Sequence, residues 1–361
     1  MKKLKAKRKL WLDARTYRQW SENVRAARMR NHVETASHFK MKCCVISVPR
    51  VLVAEKPKQR QEILNVINQT ITTLAKGDTK VKLDFSKVEK IFPGGMLILL
   101  ASLQLFTNVW KGRITARCPP HSLTAQLINH FGLADAFGVS ANLSKPKASS
   151  VIDWQFLTGT KAGGEEVREL LNNYRHKTNA EIPEGLFAAL TEGLTNVRHH
   201  AYTENSEVPA EFQKWWLFAR YTEPLETETG SLFIAIYDMG VGIPSTMRSK
   251  LEKGEIIIDL IDKMGQSIRV TKGSALDRRL LEEAVEYKRS QTGQPHRGNG
   301  LPEMREFAST TNGGRLHIVS GQAQYTFVAG KIDGHTLGFK EKFPGTLLLW
   351  SLPLKMREIT S

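Results

Sequence analysis

The stretch that decides the fold reads Leu190-Thr-Glu192-Gly-Leu-Thr-Asn196-Val-Arg-His-His200-Ala-Tyr202. Apolar side chains recur every three or four positions and leave the polar ones on another face, which predicts a helix over residues 184–202. The polar face carries Glu192 and, one turn later, Asn196. An amide oxygen is a suitable ligand for Mg²⁺, and a nearby carboxylate can orient or deprotonate an attacking hydroxyl or water. A solvated amphipathic face is the alternative that this stretch alone leaves open.

A second segment, Ile236-Tyr-Asp238-Met-Gly240-Val-Gly242-Ile-Pro244, continues the apolar run at 231–237. Such a run is typical of a strand buried on both faces. An aspartate at its end can accept a hydrogen bond from the exocyclic amine of adenine, whereas guanine presents a carbonyl there. Gly240 and Gly242 would let the backbone approach the base closely. The alternative is a glycine-rich turn after an edge strand.

A third segment reads Arg297-Gly298-Asn299-Gly300-Leu301 and opens a further helical pattern. Backbone N–H groups at a glycine-rich helix start form an anion site, although a single Gly-x-Gly has little specificity. Arg297 is either a phosphate contact or an exposed loop cation. Downstream, residues 314–320 and 345–350 are typical of strands, so an antiparallel-leaning sheet covered by helices is expected.

In this order, the three segments resemble the GHKL ATPase superfamily of gyrase, histidine kinases and MutL over residues 180–353. They are most similar to the anti-sigma-factor serine kinases, in which Glu-x-x-x-Asn is also followed by a histidine. The resemblance implies ATP and Mg²⁺ as ligands, and an ATP lid over residues 245–296 whose Thr271-Lys-Gly273-Ser274 stretch is a hinge candidate; a fixed helical insertion is the alternative. The implied site consists of Glu192 as catalytic base, Asn196 as the Mg²⁺ ligand, Asp238 as the adenine reader, Gly240 and Gly242 at the base, Gly298 and Gly300 as the phosphate loop, and Thr346 beside the adenine aspartate. Arg297 is the further candidate for a phosphate contact.

Residues 41–140 alternate short apolar strands with helical patterns, which predicts an α/β sandwich. Strands are expected at 43–48, 81–85 and 114–118, and helices at 59–75, 96–110 and 121–131.

Three stretches of this region, Val81-Lys-Leu-Asp84-Phe-Ser86, Phe92-Pro-Gly-Gly-Met-Leu-Ile-Leu-Leu100 and Leu127-Ile-Asn-His-Phe-Gly132-Leu133, resemble a STAS domain over residues 43–138. In the signalling STAS members a phosphorylated serine begins the helix that here starts with Pro93-Gly94-Gly95. A docking or scaffolding module is therefore the expected role. The predicted fold class is α/β, a STAS-like α/β sandwich followed by a GHKL (Bergerat) α/β sandwich with a mixed, mainly antiparallel sheet.

The predicted organisation is a basic arm (1–40), the STAS-like domain (41–140), a linker (141–155) and the GHKL domain (156–361). The net charge is +16, and residues 1–31 hold 11 basic residues against Asp13 and Glu22, with Trp11, Tyr17 and Trp20 between them. Such an arm could bind nucleic acid or an acidic partner, or it is a solvated helical extension.

The composition of the chain bears on whether the protein is membrane-bound, secreted or cytoplasmic. No apolar run approaches the roughly 18–20 residues that span a bilayer, and the basic N-terminus lacks a following apolar core. The expectation is a cytoplasmic protein without membrane association, with three reduced cysteines. His199 and His200 are neighbours about 100° apart on a helix, which disfavours joint metal binding.

These patterns together predict a Mg²⁺·ATP-binding regulatory protein that hydrolyses ATP or phosphorylates a protein Ser/Thr, with the nucleotide state controlling partner binding through the lid. Two rivals stay open: a non-catalytic nucleotide-dependent switch, and a DNA-associated ATPase that uses the basic arm. A protein partner or substrate is expected, and a homodimer and nucleic acid bound through residues 1–31 are further candidates.

Overall fold

The protein is mixed α/β and divides into two compact units, Met1–Trp154 and Gln155–Ser361. A computed structural model describes residues 41–118, 122–131, 134, 137, 154–161, 163–177, 181–203, 206, 208–222, 230–252, 273–286 and 300–354. The expected basic arm and residues 141–153 of the expected linker lie outside the described residues. No described helix is long and apolar enough to cross a membrane.

The first unit is built on a three-stranded parallel sheet in the order β1-β3-β5, beside a two-stranded parallel pair of β2 and β4. The six elements expected over residues 41–140 are present, with bounds shifted by at most three residues; β2 and β4 were not expected. The strands are β1 (Lys42–Ser47), β2 (Val51–Leu52), β3 (Thr79–Asp84), β4 (Lys90–Ile91) and β5 (Ile114–Arg117), and the helices are α1 (Pro57–Leu74), α2 (Pro93–Val109) and α3 (Leu123–His130).

Helices α1 and α2 each begin at a proline, whose missing N–H costs nothing in the first turn. The apolar stripe of α1 is buried, as its spacing predicts. Helix α2 is buried along nearly its whole length, and Gly95 allows close packing: a Cβ there would lie 2.4 Å from the backbone carbon of Leu52. The Pro93-Gly94-Gly95 start thus lets α2 approach β2.

The second unit is built on a five-stranded sheet in the order β6-β7-β8-β10-β9, in which β7–β8, β8–β10 and β10–β9 are antiparallel. Strand β8 occupies the centre, which explains its almost unbroken apolar run. The strands expected at 314–320 and 345–350 are parts of much longer strands. The strands are β6 (Trp154–Gly159), β7 (Trp215–Thr222), β8 (Gly230–Asp238), β9 (Arg315–Val328) and β10 (His335–Leu354).

Helices of the second unit pack their apolar faces onto this sheet. They are α4 (Gly164–Lys177), α5 (Leu186–Asn196), α6 (Ile243–Glu252), α7 (Ser274–Glu286) and α8 (Gly300–Thr310). Helices α4, α5, α7 and α8 share one core with the sheet. The stripe predicted on α5 and the turn after it is fully buried, and consists of Leu186, Leu190, Leu194, Val197 and Ala201.

The helix expected over 184–202 consists of an α-helix followed by a π-helical turn. Gly185 has a left-handed backbone (φ 85°), so α5 begins only at Leu186. After Asn196 the chain forms a π-helical turn, Val197–Ala201, which is wider than an α-helical one. The predicted helix is therefore present over residues 186–201, and the apolar spacing did not show that its last turn is π-helical.

Candidate functional site

A cavity of about 660 Å³ lies in the second unit between α5 with its π turn, the end of β8, α6 and the start of α8. Six residues singled out from the sequence line this one cavity, although they come from four separate segments. They are Glu192, Asn196, Asp238, Gly242, Gly300 and Thr346. The structure therefore brings the predicted segments together in space.

Three predicted residues are placed differently or not described. Gly240 is not among the lining residues; a Cβ there would lie 2.3 Å from the carbonyl oxygen of Ala201. Gly240 packs closely against the π turn, and its backbone N–H donates a hydrogen bond to Asp238. Arg297 and Gly298 lie outside the described residues.

Asp238 is the last residue of β8 and is only 4% exposed. Its Oδ1 accepts a hydrogen bond from the backbone N–H of Gly240 at 2.7 Å, and the backbone of Thr346, its partner on β10, also hydrogen-bonds to it. Burial raises the pKa of Asp238 to about 7, and these two bonds only partly oppose the shift. A buried carboxyl is expensive, so this position favours a group held for a ligand.

A small hydrogen-bond cluster fixes the strand ends beside Asp238. The Ser320 hydroxyl accepts from the backbone N–H of Ile243 at 2.8 Å and lies 3.1 Å from the Thr346 hydroxyl. Gly345 has a φ of 86°, and a Cβ there would lie 1.8 Å from the Asp238 carbonyl oxygen. Asp238 therefore sits in a rigid setting to which β8, β9, β10 and α6 all contribute.

Glu192 and Asn196 lie one turn apart on α5 and both line the cavity. Burial raises the pKa of the Glu192 carboxyl, and the neighbouring Glu303 adds to the shift. Gly300, the first residue of α8, lies against this carboxylate so closely that a Cβ would be 2.0 Å from Oε1. The Glu192 carboxylate is therefore located at the N-terminus of α8, where the helix dipole favours negative charge.

The side chain of Asn196 has a buried amide nitrogen that finds no hydrogen-bond partner in the described part of the chain. A buried polar atom of this kind is expensive unless a ligand or solvent molecule satisfies it. Since the protein does not fix this amide, its oxygen can turn toward a cation in the cavity.

The π turn brings His199 and His200 to the same cavity, with ring centroids 6.2 Å apart. Burial lowers the pKa of His200, and Lys250 and His199 add to this effect. Among the described residues, no group of three or more His, Cys, Asp or Glu side chains is arranged to hold a metal ion.

One wall of the cavity was missed by the sequence reasoning. It is formed by the face of α6 that carries Ile243, Thr246, Met247 and Lys250. Their spacing of three and four residues is a usable signal of a helix face, but the prediction of a lid over residues 245–296 places most of these residues outside the walls of the site. Ser320 has no such signal, because a lone serine in a strand is unremarkable.

The segment expected to be a lid, residues 245–296, contains most of α6 and all of α7. Helix α7 is part of the core through Leu280, Leu281 and Val285. Its buried Asp277 accepts from the backbone N–H of Gln322 at 2.9 Å and from Arg248 at 3.0 Å. The described part of the segment thus favours the fixed helical insertion; of the hinge candidate at 271–274, only Gly273 and Ser274 are described.

No protein-family model matches this chain, and no curated protein matches it.

Proposed function

We propose that the second unit binds Mg²⁺·ATP in the cavity as a GHKL-type domain, and that it hydrolyses ATP or transfers its γ-phosphoryl group to a protein Ser/Thr. The observation that carries the proposal is the convergence on one cavity of a buried carboxyl, Asp238, with the Glu192 and Asn196 pair and the glycine start of α8. The cavity volume lies within the roughly 300–1,000 Å³ of small-molecule sites.

Asp238 supports the choice of adenine. Its carboxyl is held by backbone N–H donors and faces the cavity from a buried strand end. An exocyclic amine would donate to it, whereas the carbonyl of guanine would meet another acceptor and leave both unpaired. Selectivity for adenine over guanine by orders of magnitude is expected from such a site.

The position of Asn196 supports the proposal that Mg²⁺ binds together with the nucleotide. Mg²⁺ is usually held by one or two protein oxygens together with substrate phosphates, so a single amide oxygen is a sufficient protein contribution. When bound, Mg²⁺ neutralises charge on the phosphates. Asn196 lines the cavity, where its amide oxygen would bind the cation and its unsatisfied amide nitrogen would donate to a phosphate oxygen.

The environment of Glu192 supports a catalytic role for the site in addition to nucleotide binding. A carboxyl whose pKa is raised by burial has a basicity better matched to neutral pH. It would orient and deprotonate the attacking water or hydroxyl. This is the observation that favours an enzyme over a non-catalytic switch. The first unit, as a STAS-like α/β module, would then serve in docking a protein partner.

Calorimetry with ATP, ADP and GTP in the presence of Mg²⁺ tests the proposal. The wild-type chain should bind ATP and ADP and reject GTP, and Asp238→Asn should weaken ATP binding at least about 100-fold, since an amide presents a donor to the amine. Asp333→Asn is the matched control, because Asp333 is an exposed aspartate in the same unit. Retained ATP affinity in Asp238→Asn would falsify the adenine assignment.

A further inference from the structure

The net charge of this chain is confined to its first third. Residues 1–118 contain 25 basic and eight acidic residues, whereas residues 119–361 contain 27 basic and 28 acidic residues. Residues 119–361, which include the cavity, are therefore close to neutral, and the whole excess of +16 belongs to residues 1–118. A charge surplus of this size attracts polyanions and is independent of the nucleotide site.

Part of this charge lies on a defined surface of the first unit. One side of the sheet β1-β3-β5 faces the core, and its side chains, such as Ile46, Val81 and Leu83, are buried. The other side, here called the outer sheet face, is set by the strand register and alternation. It consists of Cys43, Val45 and Ser47 on β1, Lys80, Lys82 and Asp84 on β3, and Thr115 and Arg117 on β5.

The outer sheet face is open to solvent. Parallel sheets normally have both faces covered and carry apolar residues on both. Here Lys80, Thr115 and Arg117 are exposed, and even the apolar member, Val45, is 58% exposed. The face has the polar composition of a surface, which means that it is built to meet water or a polar ligand.

The acidic residue on this face offsets only one of its three positive charges. Hydrogen bonds from the side chain and the backbone N–H of Ser86, the latter at 2.9 Å, lower the pKa of the Asp84 carboxyl, so this group is ionised. Arg117 lies 3.8 Å from Asp84, but its side chain is 65% exposed, and an exposed pair of this kind is weak. Lys80, Lys82 and Arg117 therefore leave the face electropositive.

We propose that the outer sheet face binds the phosphate backbone of single-stranded nucleic acid. Lysine, arginine, serine and threonine are the residues that contact phosphates, whereas protein interfaces favour aromatic residues and methionine and are depleted in lysine. None of the eight residues of the face is aromatic or a methionine. Residues 1–31 supply 11 basic residues together with Trp11, Tyr17 and Trp20, a composition suited to stacking on unpaired bases.

Fluorescence anisotropy with labelled oligothymidylate over a range of salt concentrations tests this binding on the full chain. The variant Lys80→Gln/Lys82→Gln/Arg117→Gln should bind at least about tenfold more weakly at low salt. The slope of log K against log salt should fall by about 2, since each lost phosphate contact removes about 0.7 for a single strand.

The matched control is Lys58→Gln/Lys76→Gln/Lys111→Gln, which removes the same charge from exposed lysines outside the face. Its salt slope should stay within about 0.5 of wild type. The single variants Lys80→Gln and Lys82→Gln, each expected to lower the slope by about 0.7, keep the test valid if the triple variant does not fold. Equal slopes for wild type and the face variants, or an equal loss in the control, would overturn the proposal. So would binding of poly-glutamate as tight as that of the oligonucleotide, which would indicate an acidic protein partner instead.

Discussion

The two units place charge in opposite ways. The first unit displays lysine and arginine side chains on an open sheet face, where Lys80 and Arg117 are exposed to solvent. The second unit is nearly neutral in sum, yet it buries Asp238 so deeply that the pKa of this carboxyl rises to about 7. A single exposed charge contributes little free energy to binding or folding, so several are needed for a large effect. A single buried charge can change either free energy by several kcal/mol, on the order that burial of one ion costs. Substitutions should therefore have graded effects in the first unit and abrupt ones in the second.

The largest effect is expected at Glu192. Glu192→Ala should lower ATP turnover by about 10²–10⁴-fold, the usual contribution of a general base, while ATP affinity changes little. A phosphate-release assay beside calorimetry measures both. Glu303→Gln is the control: Glu303 is exposed and close to Glu192, so its loss should leave turnover within a few-fold. Undiminished turnover in Glu192→Ala would show that this residue is not the base, and ATP binding without any wild-type turnover would favour the non-catalytic switch.

A smaller but still abrupt effect is expected at Gly300. In Gly300→Ala the new Cβ would meet the Glu192 carboxylate at 2.0 Å, so the carboxylate must move. Because a displacement of about 1 Å can cost up to about 10²-fold in rate, turnover should fall at least about tenfold. Gly164→Ala is a matched change at the start of α4, where the nearest atom to a Cβ is 3.8 Å away. Equal turnover in the two variants would contradict the close approach of α8 to Glu192.

The buried carboxyl also predicts how stability depends on pH. The pKa of Asp238 is higher in the folded state than in the unfolded chain, so the folded state binds the extra proton between these values. The contribution of this group to the free energy of unfolding of the second unit should be greatest below about pH 4. It should fall by on the order of 4 kcal/mol as the pH rises to about 7. Urea unfolding at several pH values should show this slope in wild type and lose it in Asp238→Asn; parallel slopes would contradict the shift.

The smallest effects are expected for single charges of the first unit. Lys82→Gln should weaken oligonucleotide binding by only about threefold, since one partly exposed charge contributes less than about 1 kcal/mol. Its free energy of unfolding should stay within about 0.5 kcal/mol of wild type, and ATP affinity should be unchanged. Thermal unfolding and calorimetry check these expectations. An abrupt loss of either binding activity would erase the contrast between the units.

Much of the fold could be predicted because apolar spacing reports directly on burial. The stripe on α5 and the run that becomes β8 are both buried as expected, and the mixed α/β class is confirmed. The convergence of Glu192, Asn196 and Asp238 on one cavity also agrees with the predicted arrangement. The GHKL and STAS assignments and the roles of these residues stay predictions.

What could not be predicted depends on partners distant in sequence. Helix α7 packs into the core because Asp277 meets Gln322 and Arg248, and nothing local distinguishes such a helix from a movable one. Ser320 gains its place only when β9, β10 and α6 are assembled. The outer sheet face likewise needs the strand register, since alternation in β3 alone does not show that the polar side stays uncovered.

The π turn at Val197–Ala201 has a consequence for how this chain tolerates changes in length. Its wide geometry accommodates more residues than an α-turn, while the Ala201 carbonyl accepts from the Val241 N–H at 2.8 Å and the Tyr202 hydroxyl donates to the Lys214 carbonyl. Deleting one residue of this turn, such as Arg198, should convert it into an ordinary α-turn and leave the residues beyond it close to their present positions. A deletion here should therefore be tolerated better than one within α5, where the loss of one residue would turn every later side chain by about 100° around the helix axis.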